Sequence, residues 1–391
     1  MDSEICLHNA TVLTGYSEMK NCAVLIKQHK IIDVFNETRF AQKKFKETVK
    51  FIDVNGAYIA PGFMDTHIHG IEGWGTDDLS ARSILKMSEV LPKYGVTSFI
   101  PTLYSAPKEQ LIKGIRAIVE AIGQEKGAKI LGIHLEGPFI SPDRLGVQTP
   151  DSLSPVNIDL MNELLDAAEG HIVNMTVAPE LKNMRELALY CVSKGIVLPA
   201  GHTNATYEQM VEGMQARILH VTHLFNAMSR MHHRDPGAVG AVFIHPELSC
   251  EIIADGIHIN PNIIKFLLQC KPLDKLVLVT DSLKPTKQKT LPLIANGEEV
   301  YLDKCFLRKS DDVIAGSALT MIDGVKNLVN FGLNLEQAIR MAAANPAVIM
   351  RQEHLGLIAP GYDADLVVFD KKFNTLYTII NGKLFEKGKV K

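Results

Sequence analysis

A strand, a turn and an amphipathic helix follow one another repeatedly between residues 58 and 280, and this alternation limits the possible folds more than any other feature of the chain. The intervening segments have helical spacing, as at residues 110–124, where the apolar residues fall on one face. The predicted strands are apolar runs at residues 58–65, 96–102, 129–135, 172–178, 195–200, 218–222, 248–254 and 275–280. Eight such units predict an α/β protein with a parallel (β/α)8 barrel of the TIM type. An open, doubly wound sheet is the competing architecture.

The first predicted strand runs into the sequence P-G-F-M-D-T-H-I-H-G, which places His67 and His69 two positions apart. Side chains alternate along an extended strand, so both imidazoles point to the same face and can approach one metal ion. A polar surface turn explains an isolated His-x-His motif equally well. The meaning of this pair therefore depends on ligands elsewhere in the chain.

Four further side chains that can bind a metal ion stand at the ends of other predicted strands: Glu136, His202, His223 and Asp281. Each alone is explained by a buried polar residue with satisfied hydrogen bonds. Six such residues at equivalent ends of one barrel predict a shared site at its rim, because burying them unpaired would be costly. His134 precedes Glu136 by two residues, so we expect it to lie deeper in the strand and to be structural.

The charge balance argues against nucleic acid and membrane partners. The chain has 41 Lys and Arg residues against 44 Asp and Glu residues, a formal net charge of -3, and therefore no basic field. No apolar run approaches the roughly 20 residues of a membrane span, and no signal-peptide pattern opens the sequence. The 6 cysteines are scattered without a C-x-x-C motif, which predicts neither a disulfide framework nor a zinc ribbon. We expect a cytoplasmic protein that acts on small molecules.

Both chain ends show short strands instead of the βα pattern. They occupy residues 5–54 and 364–384, and Asn381-Gly382 is a strong hairpin signal. Each end has too few strands to be stable alone, so we expect the two to combine into one small β-sandwich domain. The predicted boundaries give residues 1–57 and 353–391 to this domain and residues 58–352 to the barrel.

Eight sequence blocks resemble, in the same order, those of the amidohydrolase superfamily, and more narrowly those of the N-acetylglucosamine-6-phosphate deacetylase family. T-H-L-F-N-A-M and H-L-E-G-P are far more specific than His-x-His. The blocks span residues 61–321 and read P-G-F-M-D-T-H-I-H-G, G-I-H-L-E-G-P-F, A-G-H-T-N-A-T, T-H-L-F-N-A-M, R-D-P-G, I-I-A-D-G-I-H, L-V-T-D and A-G-S-A-L-T-M. The resemblance implies metal-dependent deacetylation of N-acetyl-D-glucosamine 6-phosphate in amino-sugar catabolism and recycling.

The resemblance also implies roles for the rim residues. It assigns Glu136, His202 and His223 to the main divalent metal ion, and it leaves His67 and His69 for a second ion. Zn²⁺ is expected, while Fe²⁺, Co²⁺ and Mn²⁺ also suit such ligands. Asp281 stands where the general base of the family stands.

For the substrate, the resemblance points to phosphosugar contacts from Asn226, Ala227, Arg234 and His258, with Arg234 reaching across from the neighbouring subunit of a homodimer. Ile314, Ala315 and Gly316 are expected near the sugar, after an insertion at residues 283–312 that we expect to form a hairpin over the rim. Gln148 stands where some members have a histidine that holds the substrate carbonyl. A glutamine amide donates a hydrogen bond but carries no positive charge.

Two alternatives stay open at this point. One is an amidohydrolase acting on a related N-acyl amino sugar phosphate or on another N-acyl substrate. A hydrolase of a different amide, such as an N-acyl amino acid or a cyclic amide, would share the metal ligands without needing Arg234 and His258. The other is a non-catalytic member of the superfamily, which would be expected to have lost metal ligands.

Overall fold

In the computed structural model, residues 4–386 and 389–390 are described. The ends of the predicted small domain at residues 1–3, 387–388 and 391 lie outside the described residues. No helix in the described part of the chain is long and apolar enough to cross a membrane.

Eight parallel strands form the barrel. Consecutive strands pair in parallel from the first to the fourth and from the fifth to the eighth. Single parallel bridges join the fourth to the fifth, and the bridge between Ile68 and Ser282 joins the first to the eighth. The barrel is therefore closed, as predicted, and the open-sheet alternative is wrong. In chain order the strands are Phe63–Ile68, Val96–Tyr104, Ile133–Glu136 with Lys129–Ile130 before it, Ile172–Thr176, Pro199–Ala200, His220–Val221, Ser249–Ile253 and Leu276–Val279.

Helices cover the outside of the barrel, so the strands are buried on both faces; every residue of Val96–Tyr104 is buried. The α-helices are Ala81–Val90, Lys108–Ala121, Ile158–Ala168, Met184–Ser193, Tyr207–Gln215, Gly237–Ile244, Pro261–Cys270, Met321–Asn330, Leu335–Ile339 and Asn345–Ile349, with a π-helical turn at Arg340–Ala344. Short 3₁₀ helices occur at Thr76–Asp78, Leu91–Tyr94, Pro142–Arg144, Pro150–Ser152 and Leu273–Lys275. Local sequence sets their ends, as where the Asn260 side chain accepts a hydrogen bond from the Asn262 backbone N–H just before Pro261–Cys270.

Strands from both chain ends form a nine-stranded sheet, which confirms that the two ends combine. Tyr58–Pro61 pairs in parallel with Glu4–Leu13 and antiparallel with Leu366–Phe369, and so joins the two ends. Asn381 and Gly382 have φ angles of 50° and 70°, as a tight hairpin turn requires. The other strands are Glu18–Lys27, Lys30–Asn36, Val49–Asp53, Thr375–Ile380, Lys383–Glu386 and Lys389–Val390, and the helix Glu37–Gln42 lies in the same part of the chain.

The chain changes from the small sheet to the barrel at Gly62. Continuous apolar character predicted one strand over residues 58–65, whereas the structure has two, because the backbone changes partners here. The Gly62 N–H donates to the Asp365 carbonyl at 2.8 Å, and the Phe63 N–H donates to the Gly95 carbonyl at 3.0 Å. A Cβ atom on Gly62 would lie 2.1 Å from the side chain of Thr97, so only glycine fits. The predicted domain boundaries at 57/58 and 352/353 stay predictions.

The insertion at residues 283–312 contributes to a four-stranded sheet, more than the hairpin expected from the sequence. Its strands are Ile294–Ala295, Glu298–Leu302, Phe306–Arg308 and Ile314–Gly316. Ala295, Val300 and Phe306 pack with Leu283 and with Tyr104 at the end of the second barrel strand. The insertion therefore sits against the rim of the barrel. A two-stranded sheet of Gly70–Ile71 and Trp74–Gly75 also lies in the loop after the first strand.

We predict that Gly62→Ala lowers the free energy of unfolding by about 3 kcal/mol, the upper part of the range for overpacking. The new methyl group would overlap the buried Thr97 side chain, which is only 1% exposed. Urea unfolding followed by circular dichroism measures the change. Gly123→Ala is the control: its Cβ would meet no atom within 4 Å, although its φ of +81° should cost about 1 kcal/mol. Equal losses in the two variants would contradict the steric explanation.

Candidate active site

Glu136, His202 and His223 meet at the C-terminal rim of the barrel. Glu136 Oε1 lies 3.1 Å from Nε2 of His202 and 3.1 Å from Nε2 of His223. The two Nε2 atoms are themselves 3.1 Å apart. The three side chains offer one ligand atom each, all close enough together to hold a single metal ion.

His67, His69 and Asp281 form a second such group beside the first. Asp281 Oδ1 lies 3.5 Å from His67 Nε2 and 3.4 Å from His69 Nε2. Glu136 stands between the groups, with Oε1 at 3.4 Å from His67 Nε2 and Oε2 at 3.5 Å from His69 Nε2. The structure therefore brings together all six rim residues that the sequence suggested.

Two of the imidazoles, those of His69 and His202, are oriented by their Nδ1 atoms. His69 Nδ1 lies 3.0 Å from the Thr102 carbonyl, and His202 Nδ1 lies 3.1 Å from the carbonyls of residues 144 and 145. A carbonyl can only accept a hydrogen bond, so Nδ1 carries the proton and Nε2 presents a lone pair in the neutral ring. These lone pairs face the oxygens of Glu136, which are acceptors too. A cation between them resolves this conflict, and the donor set fits a divalent metal ion.

Glu251 is a site residue that sequence reasoning missed. It is fully buried in the seventh strand, and its Oε2 accepts from His67 Nδ1 at 2.9 Å and from the His223 backbone N–H at 3.1 Å. Burial raises the pKa of Glu251, but the neighbouring His67 and His220 together outweigh this and hold the pKa well below its usual range. A carboxylate behind an imidazole orients the ring and makes it a better metal ligand. In the sequence, this role could have been recognised from the acidic residue inside the strand S-C-E-I-I, where a charge is unusual.

Backbone conformation singles out three of the rim residues. His202, His223 and Asp281 have φ angles of 46°, 26° and 47°, in the left-handed region that residues other than glycine rarely adopt. Such strain concentrates at functional sites. Burial raises the pKa of Asp281, but the nearby His67 and His69 outweigh it and place the pKa below its ordinary value. The Asp281 carboxylate is therefore ionised at neutral pH.

His134 lies below the rim, as expected from its position in the strand. Its Nε2 lies 2.9 Å from Thr176 Oγ1, and its Nδ1 lies 3.1 Å from Thr102 Oγ1. Burial lowers the pKa of His134 to about 3, so the ring stays neutral. It supports neighbouring strands and does not belong to either group of candidate ligands.

A cavity of about 430 Å³ opens above the candidate ligands. Arg230 also lines it, and the sequence analysis did not single out this residue, although it follows the T-H-L-F-N-A-M block by two positions. His258 is held by its Nδ1, which lies 2.6 Å from Asp255 Oδ2. The predicted substrate contacts that line the cavity are Asn226, Ala227, His258, Ile314, Ala315 and Gly316.

Two predicted substrate contacts do not line this cavity. Gln148 is buried and its Nε2 donates to Glu136 Oε2 at 2.8 Å, so it touches a candidate metal ligand. Arg234 is exposed, and its Nη1 lies 2.9 Å from His233 Nε2. Neither side chain lines the cavity within one chain.

A protein-family model for the amidohydrolase family matches residues 58–385. The chain belongs to the amidohydrolase family. The family consists of metal-dependent hydrolases, in agreement with the two groups of ligand-type side chains at the rim. The family that the sequence blocks suggested is thereby confirmed.

Known relatives narrow the family further. N-acetylglucosamine-6-phosphate deacetylase of Bacillus subtilis is 32% identical over 390 residues, covering 98% of each chain, which places this chain in the same deacetylase family. N-acetylgalactosamine-6-phosphate deacetylase of Escherichia coli O157:H7 is 28% identical over 329 residues, covering 83% of this chain and 87% of the relative. The crystal structure of N-acetylglucosamine-6-phosphate deacetylase from Pasteurella multocida matches with a TM-score of 0.91 at 29% identity, covering 98% of this chain and 100% of that one. A TIM-type barrel with a small β-sandwich domain is confirmed as the fold.

We predict that Glu251→Gln weakens zinc binding by about 10- to 100-fold, because the amide holds the His67 ring less firmly and leaves it less basic. Competition with a chromogenic chelator measures the affinity. Glu247→Gln is the matched control, since Glu247 is exposed and its Oε1 lies 3.3 Å from His245 Nδ1. Equal zinc affinity in a folded Glu251→Gln protein would contradict the role given to this carboxylate.

Proposed function

We propose that this chain hydrolyses the amide bond of N-acetyl-D-glucosamine 6-phosphate and yields D-glucosamine 6-phosphate and acetate, in amino-sugar catabolism and recycling. The observation that carries the proposal is the position of Glu136. Its carboxylate lies 3.1 to 3.5 Å from four imidazole nitrogens at the floor of one cavity. The choice of substrate is supported by the similarity to N-acetylglucosamine-6-phosphate deacetylase of Bacillus subtilis, which extends over 98% of the chain.

The rim would hold one or two divalent ions in each subunit. Glu136, His202 and His223 would bind one ion, and His67 and His69 with Asp281 a second, with Glu136 reaching both. When bound, such an ion activates a water molecule and polarises the amide carbonyl. Zn²⁺ suits imidazole and carboxylate ligands best, and Fe²⁺, Co²⁺ and Mn²⁺ are the other candidates.

Asp281 acts as the proton carrier. Its ionised carboxylate lies at the cavity floor, where it takes a proton from the attacking water while the oxygen bonds to the carbonyl carbon. It then donates this proton to the amide nitrogen, since an amide nitrogen leaves poorly until it is protonated. The C–N bond breaks, and acetate and the free amine are released.

The phosphosugar binds on the side of the cavity formed by the sixth and seventh barrel strands. His258, Asn226 and Ala227 line this side, and Arg230 adds a guanidinium whose planar shape suits phosphate oxygens. Ile314, Ala315 and Gly316 cover the sugar from the inserted sheet.

Gln148 is also proposed to contact the substrate carbonyl. Its amide is beside Glu136, and its own Oε1 is buried with no hydrogen-bond partner. Oε1 can only accept, so the contact with the substrate carbonyl falls to the second N–H of Nε2.

The proposed assembly is a homodimer in which Arg234 reaches the site of the neighbouring subunit. Its guanidinium does not line the cavity of its own chain. Met231 on the same loop is 55% exposed and Ile257, beside His258, is 39% exposed. Exposed apolar side chains next to a site support a protein interface there.

A cytoplasmic location also belongs to the proposal. None of the six cysteines forms a disulfide, and five of them are buried. Unpaired thiols are typical of reducing compartments.

The second candidate is the same reaction on the galactosamine epimer or on another N-acyl amino sugar phosphate. The relative from Escherichia coli O157:H7 that is named for the galactosamine substrate favours this alternative over unrelated amides. Both candidates need the phosphate contacts, which distinguishes them from hydrolases of N-acyl amino acids.

The zinc-loaded protein should release amine fastest from N-acetylglucosamine 6-phosphate, compared with its galactosamine epimer, the unphosphorylated sugar and an N-acetyl amino acid. Asp281→Asn should lower kcat by about 10²- to 10⁴-fold while the ion at Glu136, His202 and His223 is retained, because the proton carrier is lost. Asp274→Asn, an exposed carboxylate near the other end of the same strand, is the matched control. No release from any phosphorylated sugar would overturn the function, and near-normal turnover in Asp281→Asn would overturn only the role of Asp281.

Mixing two weakened variants tests the shared site. Arg234→Ala and Asp281→Asn should each show low activity at substrate concentrations below KM. If Arg234 reaches the site of the neighbouring subunit, a dimer with one subunit of each variant contains one site in which both Arg234 and Asp281 are native. After subunit exchange, the activity of the mixture should therefore rise well above the mean of the two separate samples. Activity that stays at that mean would show that Arg234 does not act across the interface.

A further inference from the structure

Tyr104 is a buried residue beside the candidate ligands to which the proposed reaction gives no role. It ends the second barrel strand, Val96–Tyr104, and is only 7% exposed. Its ring stacks on the imidazole of His69 with the centroids 3.8 Å apart and an angle of 11° between the planes. Burial raises the pKa of Tyr104 well above its usual range, so the phenol is neutral and does not act as a base.

Tyr104 lines two cavities. It lines the 430 Å³ cavity over the candidate metal ligands, and it also lines a second cavity of about 190 Å³. Among the described residues it is the only one that both linings share. The second cavity, called here the rear cavity, is lined by Thr76, Asp77, Leu79, Leu103, Tyr104, Ala106, Gln110, Leu111, Asn296 and Gly297. Leucine and alanine side chains make part of this space apolar.

The order of the barrel strands indicates which end of the substrate faces Tyr104. In a closed barrel of eight strands, the second strand lies opposite the sixth. Asn226 and Ala227 follow the sixth strand and His258 follows the seventh, so the proposed phosphosugar side is opposite Tyr104. The amide carbonyl must lie over the floor near Glu136 to react. The acyl group on the far side of that carbonyl therefore extends towards the second strand.

We propose that Tyr104 determines the acyl-group specificity of the enzyme, because its ring ends the acyl site after one methyl group and closes it off from the rear cavity. The inference rests on the proposed function and concerns the acyl end of the same substrate. The ring is held between His69 and the inserted sheet, where Tyr104 packs with Leu283 and Phe306. A longer acyl chain would have to displace this packed ring, and well-packed side chains yield only at a cost.

The test measures kcat/KM of the zinc-loaded enzyme for N-acetyl, N-propionyl and N-butyryl glucosamine 6-phosphate. The wild-type protein should prefer the acetyl substrate, since one methylene in a tight apolar site changes selectivity about tenfold or more. Tyr104→Ala and Tyr104→Leu should each raise the butyryl-to-acetyl ratio at least about tenfold by opening the rear cavity. Using a ratio within each variant removes any general loss of activity.

Two further variants separate size from other effects. Tyr104→Phe keeps the ring and should keep the wild-type ratio. Ala106→Leu places a larger side chain in the rear cavity and leaves less space there. Combined with Tyr104→Ala, it should lower the butyryl-to-acetyl ratio again. Zinc content measured on every variant shows whether loss of the stacking on His69 has emptied the site.

The failures of the two proposals are distinguishable. A wild-type protein inactive on all three substrates would overturn the proposed function and the inference with it. A wild-type protein active on the acetyl substrate, with unchanged ratios in both Tyr104→Ala and Tyr104→Leu, would overturn the inference alone. Complete inactivity of both zinc-loaded variants would also overturn it, because Tyr104 would then be needed for the reaction itself and not only for its selectivity.

Discussion

Closure of the barrel between its first and eighth strands is the constraint on which the site depends. The Asp281 N–H donates to the His67 carbonyl at 2.9 Å, and the His69 N–H donates to the Ser282 carbonyl at 2.9 Å. These two hydrogen bonds join segments more than two hundred residues apart in the chain. Without them, Asp281 would not lie beside the two histidines.

Closure alone leaves the imidazoles free to rotate, and a layer of acceptors around them removes that freedom. Glu251, the Thr102 carbonyl and the backbone of residues 144 and 145 hold the Nδ1 atoms of three rings, and each ring then presents Nε2 to the centre. A site held in this way is preorganised, because ligand geometry is set before a cation or substrate binds. The barrel and its inner hydrogen bonds thus act together to place lone pairs against carboxylates.

The parts added to the barrel enclose the site. The inserted sheet brings Ile314, Ala315 and Gly316 to the cavity and packs on Tyr104. The small sheet is joined to the barrel through Gly62, far along the chain from most of the ligands, and it contributes none of the cavity-lining residues in the described part of the chain. The residues proposed for chemistry and specificity therefore stand at the C-terminal ends of the barrel strands and in the loops that follow them, as is usual in barrels of this type.

Periodicity in the sequence was enough to predict the eight strands and the pairing of the chain ends, because alternation and helical spacing are local properties. It also predicted that the six rim residues lie together, because the strand ends share one rim in any parallel barrel. Three features depended on long-range packing and were out of reach. The division of residues 58–65 into two strands follows from Thr97 crowding Gly62, and the role of Glu251 follows from its distance to His67. The place of Tyr104 in the lining of two cavities follows from how the second strand packs. Each arises from contacts between residues distant in the chain, and such contacts leave no local pattern in the order of amino acids.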